Sequence, residues 1–419
     1  MKNCLILLTN SYPFSSEETF LETEMPYLAK TFDKVVTLAV GLGKDAVKTR
    51  KVPANVDSYN VGVTSKSVGR LIAMGKGMMN LVFSSKTPKD EPATDIKRRI
   101  ALEYVYARGE REFALCKNVL EKYDFSQYDS VTVYSYWFFV TALIGCRVKQ
   151  LVSEKCCNVR LVSRAHGYDV YDYTHPLNYL PLRKYLLENV DAVYPCSADG
   201  EKYISEKFPN FKEKIKHRYL GTEDCGVSDI NNECFHIVSC SRMVALKRVE
   251  RIASSLALLK DSGVGALRWT HIGDGDTMQK VREICNEKLG FMRVDLIGRI
   301  PNEDVIKFYR QEKADVLLNV STTEGLPVSM MEVMSFSIPV IATDVGGVGE
   351  IVKDGFNGYL LSSDFTDEEL AEKLKEYILS AKEVKLAMRK NARDFWKENF
   401  DAEKLYSEFA KEISVINGQ

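Results

Sequence analysis

The feature that most constrains the fold of this chain is a regular alternation of short apolar runs with longer stretches of helical spacing. Helical stretches separate apolar runs at 4–8, 35–40, 130–134, 159–163 and 192–196. After the polar, turn-rich stretch 221–233, the alternation restarts with runs at 235–239, 268–272, 294–297, 316–320 and 339–342. Strands that alternate with helices form parallel sheets. We therefore predict an α/β protein with two Rossmann-like, doubly wound parallel-sheet domains.

The turn-rich stretch predicts the domain boundaries. We expect a first domain over 1–225 and a second domain over 226–395. A C-terminal helical segment over 396–419 carries Leu405, Phe409 and Ile413 at helical spacing, which predicts that it packs back on the first domain. Ligands of open α/β sheets bind at the carboxyl ends of the strands. Two such domains that face a cleft therefore predict a site in that cleft.

Composition and charge exclude several classes of protein. The 57 Lys and Arg residues nearly balance the 58 Asp and Glu residues, so no global field attracts nucleic acid. Ten cysteines without a CxxC pair indicate reduced thiols in a cytoplasmic protein. The apolar run 4–8 is too short for a signal core, so we expect a buried strand and no export signal. The charge-free stretch 131–146 is shorter than the roughly 20 residues of a membrane-spanning helix.

The stretch 321–332, STTEGLPVSMME, carries the most informative chemistry. Glu324 lies in a predicted strand-to-helix loop, Gly325 permits close backbone approach to a ligand, and Pro327 is placed for the first helical turn. The free N–H groups at such a helix start suit a phosphate. Glu332 follows on the same helix, and a carboxylate is a natural acceptor for the vicinal hydroxyls of a ribose or sugar.

This stretch resembles the Glu-x7-Glu signature of retaining glycosyltransferases of family 4, which have the GT-B fold. The segments 339–350 and 354–360 resemble the next strand, the Gly-Gly loop and the closing turn of the same family. The segment 239–247 resembles its G-R-x-x-x-x-K element, with Ser241 in place of the glycine. The segment 163–169 resembles its H-G-x-D element.

The resemblance implies a role for each matching residue. Arg242 and Lys247 would hold the diphosphate, whose charge grows as it departs, and His166 would approach the donor sugar from the opposite domain. Gly273, in a G-x-G turn, and Gly298, the glycine that backs the nucleotide base, would line the donor site. The implied catalytic residues are His166, Arg242, Lys247 and Glu324. The implied donor-binding residues are Gly273, Gly298, Glu324, Gly325, Leu326, Pro327, Val328 and Glu332.

The resemblance also implies the reaction, the transfer of a hexose-type sugar from a nucleotide-diphosphate sugar to a glycan or lipid-linked acceptor in surface polysaccharide biosynthesis. It implies retention of configuration, no cofactor and no metal. Asp274 and Asp276 are interpreted as parts of a tight turn rather than as a metal site. Two alternatives stay open: a sugar-nucleotide 2-epimerase of the same fold, and a non-catalytic sugar-nucleotide-binding partner.

Two segments of the first domain give further hypotheses. The segment 9–20 resembles the YP-x-x-x-E-T-F opening of polysaccharide-building members but lacks the Gly-Gly pair of many relatives, and Ser15 and Glu18 fit a capping box. The segment 66–83, within a stretch 58–89 that has no acidic residue, has a basic, amphipathic pattern. This pattern predicts a peripheral contact with the inner face of the membrane. The alternative is that its apolar face packs on the core of its own domain.

Overall fold

The structure is a computed structural model that describes residues 2–15, 17–62, 87–90, 92–228 and 233–414. The chain divides into two compact units. The first comprises Met1–Tyr219 and Glu403–Gln419, and the second comprises Leu220–Ala402. The hypothesis of a membrane contact through 66–83 concerns residues outside the described ranges.

The first unit is built on a six-stranded parallel sheet in the order β3-β2-β1-β4-β5-β6. Its strands are β1 (Asn3–Thr9), β2 (Lys34–Ala39), β3 (Val56–Asn60), β4 (Ser130–Ser135), β5 (Val159–Ala165) and β6 (Ala192–Pro195). Its α-helices include α1 (Phe20–Thr31), α2 (Ile96–Leu120), α3 (Val140–Ser153), α4 (Gly167–Val170), α5 (Arg183–Asn189) and α6 (Ala198–Lys207). This strand order is that of a dinucleotide-binding Rossmann sheet.

The second unit repeats the same architecture. Its sheet has the order β12-β11-β10-β7-β8-β9. The strands are β7 (Phe235–Cys240), β8 (Leu267–Ile272), β9 (Arg293–Gly298), β10 (Val316–Asn319), β11 (Val340–Thr343) and β12 (Gly358–Leu361). Its helices include α7 (Val249–Ala257), α8 (Met278–Lys288), α9 (Asn302–Glu312), α10 (Val328–Ser335), α11 (Val348–Ile351), α12 (Asp367–Leu379) and α13 (Lys382–Asn399). The prediction of two doubly wound parallel sheets is confirmed.

The central strands are apolar on both faces because helices cover both faces of each sheet. In β1, residues Cys4 to Thr9 are all fully buried. Leu5 and Leu7 belong to one core cluster, whereas Ile6 and Leu8 belong to another, as the alternation of side chains along a strand requires. The continuous apolar runs of the sequence therefore mark strands that are buried on both sides.

The last helix, α14 (Ala402–Ser414), begins at the boundary of the two units. Phe409 and Ile413 lie in the same core cluster of the first unit as Leu5 and Leu7. The division falls at Leu220, shortly before the predicted boundary at 225. Residues 396–402 belong to the second unit rather than to a final segment 396–419, because α13 runs on to residue 399 and buries its Trp396 there.

None of the helices in the described ranges is long and apolar enough to cross a membrane.

Candidate functional site

The second unit has its topological switch point between β7 and β10. Connections from these adjacent strands run to opposite sides of the sheet, which opens a crevice at their carboxyl ends. The loop 241–248 follows β7, and the loop 320–327 follows β10. Arg242, Lys247 and Glu324, three of the predicted catalytic residues, lie on these two loops.

An ion pair joins the two loops. Lys247 Nζ lies 2.6 Å from Glu324 Oε1, and the side chains are 22% and 10% exposed. The same oxygen accepts hydrogen bonds from Asn319 Nδ2 at 3.1 Å and from Ser321 Oγ at 2.7 Å. No described residue donates to Glu324 Oε2. The geometry therefore fixes one oxygen of the carboxylate and leaves the other for a ligand hydroxyl.

Arg242 lies on the exposed side of the loop after β7. No described residue forms a hydrogen bond or an ion pair with its guanidinium, so the cation remains available to an anion. The backbone beside it packs closely on the G-x-G turn: a Cβ at Gly273, where φ is +143°, would lie 1.8 Å from the Ser241 carbonyl oxygen. Gly273 thus acts through the close approach of two loops. Its backbone N–H also donates to the Gly298 carbonyl at 2.9 Å.

Arg248, which no sequence motif singled out, anchors the loop that carries Glu324. Its Nε donates to the Val320 carbonyl at 2.6 Å, and its Nη2 donates to the Ser321 carbonyl at 3.1 Å. Its Nη1 donates to the Ser363 carbonyl at 2.8 Å, beyond β12. Arg248 therefore ties the ends of two strands together. The adjacent basic pair Lys247-Arg248 was the only sequence signal for it.

The start of α10 follows directly after Glu324. Leu326 is buried, Pro327 occupies the N-cap position, and Val328 is the first helical residue. No side chain of the described residues caps this helix, so the N–H groups of its first turn can bind an anion. The Gly347 N–H donates to the Gly325 carbonyl at 3.0 Å, which holds the loop in place.

Glu332 lies farther along α10 and has a different environment from Glu324. Its Oε1 accepts a hydrogen bond from Asn302 Nδ2 at 2.8 Å, at the start of α9. Burial raises the pKa of Glu332 to about 7, and the Asn302 hydrogen bond offsets only part of this effect. A carboxyl group in such a setting gains most from a ligand that donates hydroxyl groups to it.

His166 lies at the end of β5 in the first unit and is almost fully buried. Burial, together with the nearby Arg164, lowers the pKa of His166 to about 3, so its ring is neutral. Nε2 lies 3.0 Å from the Tyr136 carbonyl oxygen, which can only accept, so Nε2 carries the proton. Nδ1 is therefore an acceptor. In this tautomer neither ring nitrogen is free to donate a hydrogen bond to a sugar hydroxyl, and the contact of His166 with the sugar stays a prediction.

The loop after β1 holds a carboxylate that the sequence analysis misread. Glu18 accepts backbone hydrogen bonds from Asn10 at 2.9 Å, from Ser11 at 2.7 Å and from Tyr12 at 2.7 Å. It also accepts from Trp137 Nε1 at 2.6 Å. The predicted capping box is wrong, because Glu18 turns back onto the strand end and Thr19 precedes α1 without a side-chain cap. An internal carboxylate thus occupies the N–H groups that a phosphate would use.

A cavity of about 300 Å³ opens at the carboxyl ends of β1, β2, β4 and β5 in the first unit. Polar and charged residues on one side of it come from α2. Trp137 and Phe139 come from the loop after β4, and Tyr168 comes from α4. The residues that line it include Asn10, Ser11, Glu17, Gly41, Tyr104, Arg108, Arg111, Glu112, Trp137, Phe139, Tyr168 and Asp169. No sequence motif pointed to α2.

Among the residues that the structure describes, no cluster of three or more His, Cys, Asp or Glu side chains could hold a metal ion.

Comparison with known proteins associates the second unit with sugar transfer. Residues 223–395 match the family model described as glycosyl transferases group 1. An uncharacterised glycosyltransferase of Methanocaldococcus jannaschii is 37% identical over 30% of this chain and 35% of its own length. A putative colanic acid biosynthesis glycosyltransferase of Escherichia coli is 24% identical over 60% of this chain and 63% of its own length. The chain thus spans less than two thirds of the length of these curated relatives.

The whole chain resembles solved structures of the same architecture. The crystal structure of Anabaena HepE in complex with UDP and glucose aligns with 99% of this chain and 100% of its own, with a TM-score of 0.67 and 16% identity. Together with the two six-stranded parallel sheets, this likeness confirms the predicted GT-B fold.

Proposed function

We propose that the protein is a retaining glycosyltransferase of family 4 that transfers a hexose-type sugar from a nucleotide-diphosphate sugar. The acceptor is a glycan or a lipid-linked glycan in surface polysaccharide biosynthesis. One observation carries the proposal: the Lys247–Glu324 pair joins two loops at the switch point of the second unit, beside the exposed Arg242 and the uncapped start of α10. The match of residues 223–395 to group 1 glycosyl transferases supports it.

The donor would bind along this crevice in a defined order. Glu332 would accept the hydroxyls of the nucleotide ribose, and Arg242 and Lys247 would hold the diphosphate. Glu324 Oε2 and the N–H groups of Gly325 and Leu326 would face the sugar. Arg offers a planar fork and Lys a point charge, and both stabilise the charge that develops on the departing diphosphate.

The chemical step would need no covalent intermediate with the protein. The acceptor hydroxyl would attack the anomeric carbon on the face from which the diphosphate leaves. As the new C–O bond forms, the bond to the diphosphate breaks, and a diphosphate oxygen takes the hydroxyl proton. The two cations and the helix start would balance the charge on the diphosphate, so we propose that no metal is required.

The role of His166 would be to accept rather than to donate. Its neutral ring has Nδ1 as the acceptor, and a sugar hydroxyl would donate to it beside the capping contact with the Asp169 backbone N–H. The Tyr136 carbonyl would hold the tautomer, and the rings of Tyr136 and Trp137, with centroids 4.9 and 4.6 Å away, would hold its orientation.

The names of the relatives support the donor and the pathway class. The E. coli relative is named for colanic acid biosynthesis, and the HepE structure holds UDP and glucose. We propose a cytoplasmic location, with peripheral contact at the inner face of the membrane.

The test is a titration of the full-length protein with UDP and GDP, followed by turnover with the matching nucleotide sugars. We expect Glu332→Gln to weaken nucleotide binding about ten-fold, which corresponds to roughly 1.4 kcal/mol. We expect Lys247→Ala and Arg242→Ala to lower kcat more than they raise KM, because the diphosphate charge grows in the transition state. Glu303→Gln, at an exposed position of α9, is the matched control for Glu332.

Three results would contradict the proposal. Unchanged nucleotide affinity in Glu332→Gln would remove this residue from the site. An epimeric nucleotide sugar formed from the donor alone would identify an epimerase instead. Loss of turnover in EDTA that Mg²⁺ or Mn²⁺ restores would overturn the metal-free mechanism.

A further inference from the structure

The cavity of the first unit has the location expected of a binding site. It lies where four parallel strands end, and it includes the switch point between β1 and β4. Its volume of about 300 Å³ is at the lower end of the range for small-ligand pockets. Glu18 already occupies the N–H groups at the end of β1, so any charge that binds a ligand here must come from side chains.

Among the described residues, the cavity wall formed by α2 carries two arginines and one carboxylate. Glu112, whose side chain is 5% exposed, accepts hydrogen bonds at one oxygen from Arg108 Nε at 2.9 Å and from Arg111 Nη2 at 3.1 Å. Two guanidinium groups therefore face one carboxylate. The Asp169 carboxylate does not offset this charge, because it already accepts backbone hydrogen bonds inside the unit and lies beside Arg183. Glu17 is exposed to solvent.

Arg108 has hydrogen-bond donors that no described residue uses. Within the described ranges, its only hydrogen bond or ion pair goes from Nε to Glu112, which leaves both Nη groups for a ligand. Its side chain is 29% exposed, so a solute can reach it. Its position on the wall is fixed by close packing at the next residue, where a Cβ on Gly109 would lie 2.4 Å from Leu143 Cδ2. A fixed guanidinium fork matches the two oxygens of a carboxylate or phosphate.

Aromatic side chains line another part of the cavity. Tyr168 is 59% exposed, although its ring packs against His175 at a centroid distance of 4.5 Å. Trp137 and Phe139 line the same cavity. An exposed, rigid aromatic ring offers an apolar face to a ligand at little entropic cost. The apolar face of a sugar ring suits these aromatic side chains, and an acidic group on the same ligand suits Arg108.

A second cavity of about 320 Å³ in the same unit differs in this respect. Its charged groups bind to one another: Lys207 pairs with Asp172, and Tyr179 donates to Asp90. These contacts are typical of internal structure, so these groups are less available to a ligand than the Nη groups of Arg108.

We propose that the cavity between α2 and the strand ends binds the acceptor through an oxyanion, a carboxylate or a phosphate ester, which Arg108 holds with two hydrogen bonds. Arg111 and Glu112 position the Arg108 guanidinium, and Tyr168 packs on the adjacent sugar ring. The assignment of this ligand as the acceptor rests on the proposed glycosyltransferase function. It deepens that function by naming an acidic glycan, or a sugar phosphate, as the acceptor class.

The test measures the dissociation constants of three probes for the full-length protein: methyl β-D-glucuronide, glucose 6-phosphate and methyl β-D-glucoside. We expect one of the two acidic probes to bind about ten-fold more tightly than the neutral glucoside, because charge-assisted hydrogen bonds are the stronger ones. The tighter acidic probe distinguishes a carboxylate from a phosphate. Arg108→Gln should remove the preference, whereas Lys117→Gln, which removes the same charge from an exposed position of α2, should keep it.

Arg108→Lys keeps the charge but removes the fork, so we expect an intermediate preference. It also provides the test if Arg108→Gln does not fold. Equal affinity for acidic and neutral probes, a preference that survives loss of Arg108, or no binding of either acidic probe up to about 10 mM would overturn the proposal. UDP titration of the same samples reports on the second unit separately. A protein that prefers the acidic probe but binds no nucleotide would contradict the proposed function and leave the oxyanion site standing.

Discussion

At the scale of single residues, the carboxylates Glu18, Glu324 and Glu332 are stabilised in different ways. Glu18 is bound by backbone N–H groups, and Glu324 is bound by Lys247 and two neutral donors. Glu332 accepts one hydrogen bond from the described residues, from Asn302. Because burial of a charge is costly without partners, Glu332 is the carboxylate whose chemistry depends most on a ligand. Its raised pKa makes this dependence measurable.

The first prediction concerns the stability cost of Glu332. Burial raises its pKa from 4.5 to about 7, so between these pH values the folded state binds a proton that the unfolded state has lost. The contribution of Glu332 to folding stability therefore falls as the pH rises through this window and is fully lost above it. We expect Glu332→Gln to match the wild type near pH 5 and to exceed its unfolding free energy by roughly 1–2 kcal/mol near pH 8.

Urea unfolding at the two pH values measures this difference. Glu303→Gln is the control, because it removes a carboxylate from an exposed position. Parallel pH profiles for Glu332→Gln and the wild type would show that Glu332 is ionised alike in both states.

At the scale of structural elements, loop geometry depends on a few close contacts. In the loop after β1, the Glu18 carboxylate occupies the backbone N–H groups that a bound anion would use. It also accepts a hydrogen bond from Trp137 Nε1. We expect Glu18→Ala to lower the unfolding free energy by about 2–4 kcal/mol, because buried backbone N–H groups lose a charged partner. Glu17→Ala, at the exposed neighbouring position, should change it by less than about 0.5 kcal/mol. Thermal unfolding followed by circular dichroism measures both, and equal effects would contradict the role of Glu18.

In the second unit, the loop after β11 packs closely on the loop that carries Glu324. Gly346 has a φ of +54°, and a Cβ there would lie 1.9 Å from the Glu324 carbonyl oxygen. Gly355 has a φ of +71°, but a Cβ there meets no atom within 4 Å. Gly355→Ala should therefore cost only the backbone strain of about 1 kcal/mol, whereas Gly346→Ala should also displace Glu324. We expect nucleotide affinity to fall in Gly346→Ala alone; equal affinities in the two variants would contradict the contact.

The sequence predicted some elements well and missed others for physical reasons. Strands buried on both faces appear as apolar runs, so β10 was placed within one residue of its bounds. The strand β3, VDSYN, was not predicted, because it is a half-buried edge strand and shows no continuous apolar run. The helix α2 was not predicted, because its buried face includes Glu103, Gly109 and Glu112, and these residues interrupt the apolar stripe. For the same reason, Arg108 and the cavity that it lines were not predicted.

The same limits apply to the site. Motif resemblance placed Lys247 and Glu324 on two loops, and their contact follows from the neighbouring strands β7 and β10. By contrast, Arg248 donates a hydrogen bond to a carbonyl far away in the sequence. Glu18 accepts hydrogen bonds from the loop that precedes it instead of forming the expected capping box. No periodicity encodes such contacts, because they depend on the tertiary arrangement of loops.

At the scale of the whole molecule, the chain leaves the first unit at Tyr219 and returns to it at Glu403. The returning helix α14 fills the core cluster that contains Leu5 and Leu7, and Thr132 Oγ1 in β4 donates to the Ile413 carbonyl at 2.8 Å. The first unit is therefore completed by residues that lie after the entire second unit in sequence. The stability of the first unit should depend on α14, whereas the proposed nucleotide crevice of the second unit should not depend on it.

The last prediction separates the stability of the first unit from nucleotide binding in the second. Phe409 is 2% exposed, and its ring lies 5.7 Å from the Tyr134 ring and 5.2 Å from the Tyr194 ring. We expect Phe409→Ala to lower the unfolding free energy of the first unit by about 3–5 kcal/mol, the usual cost of removing a buried aromatic side chain. Leu405→Ala, at a half-buried position on the same helix, should cost clearly less. UDP affinity at 25 °C should stay unchanged in both variants, because the crevice residues lie in the second unit. Urea unfolding with tryptophan fluorescence, run with and without UDP, measures both quantities. A loss of UDP affinity in folded Phe409→Ala would show that the crevice depends on the first unit's core.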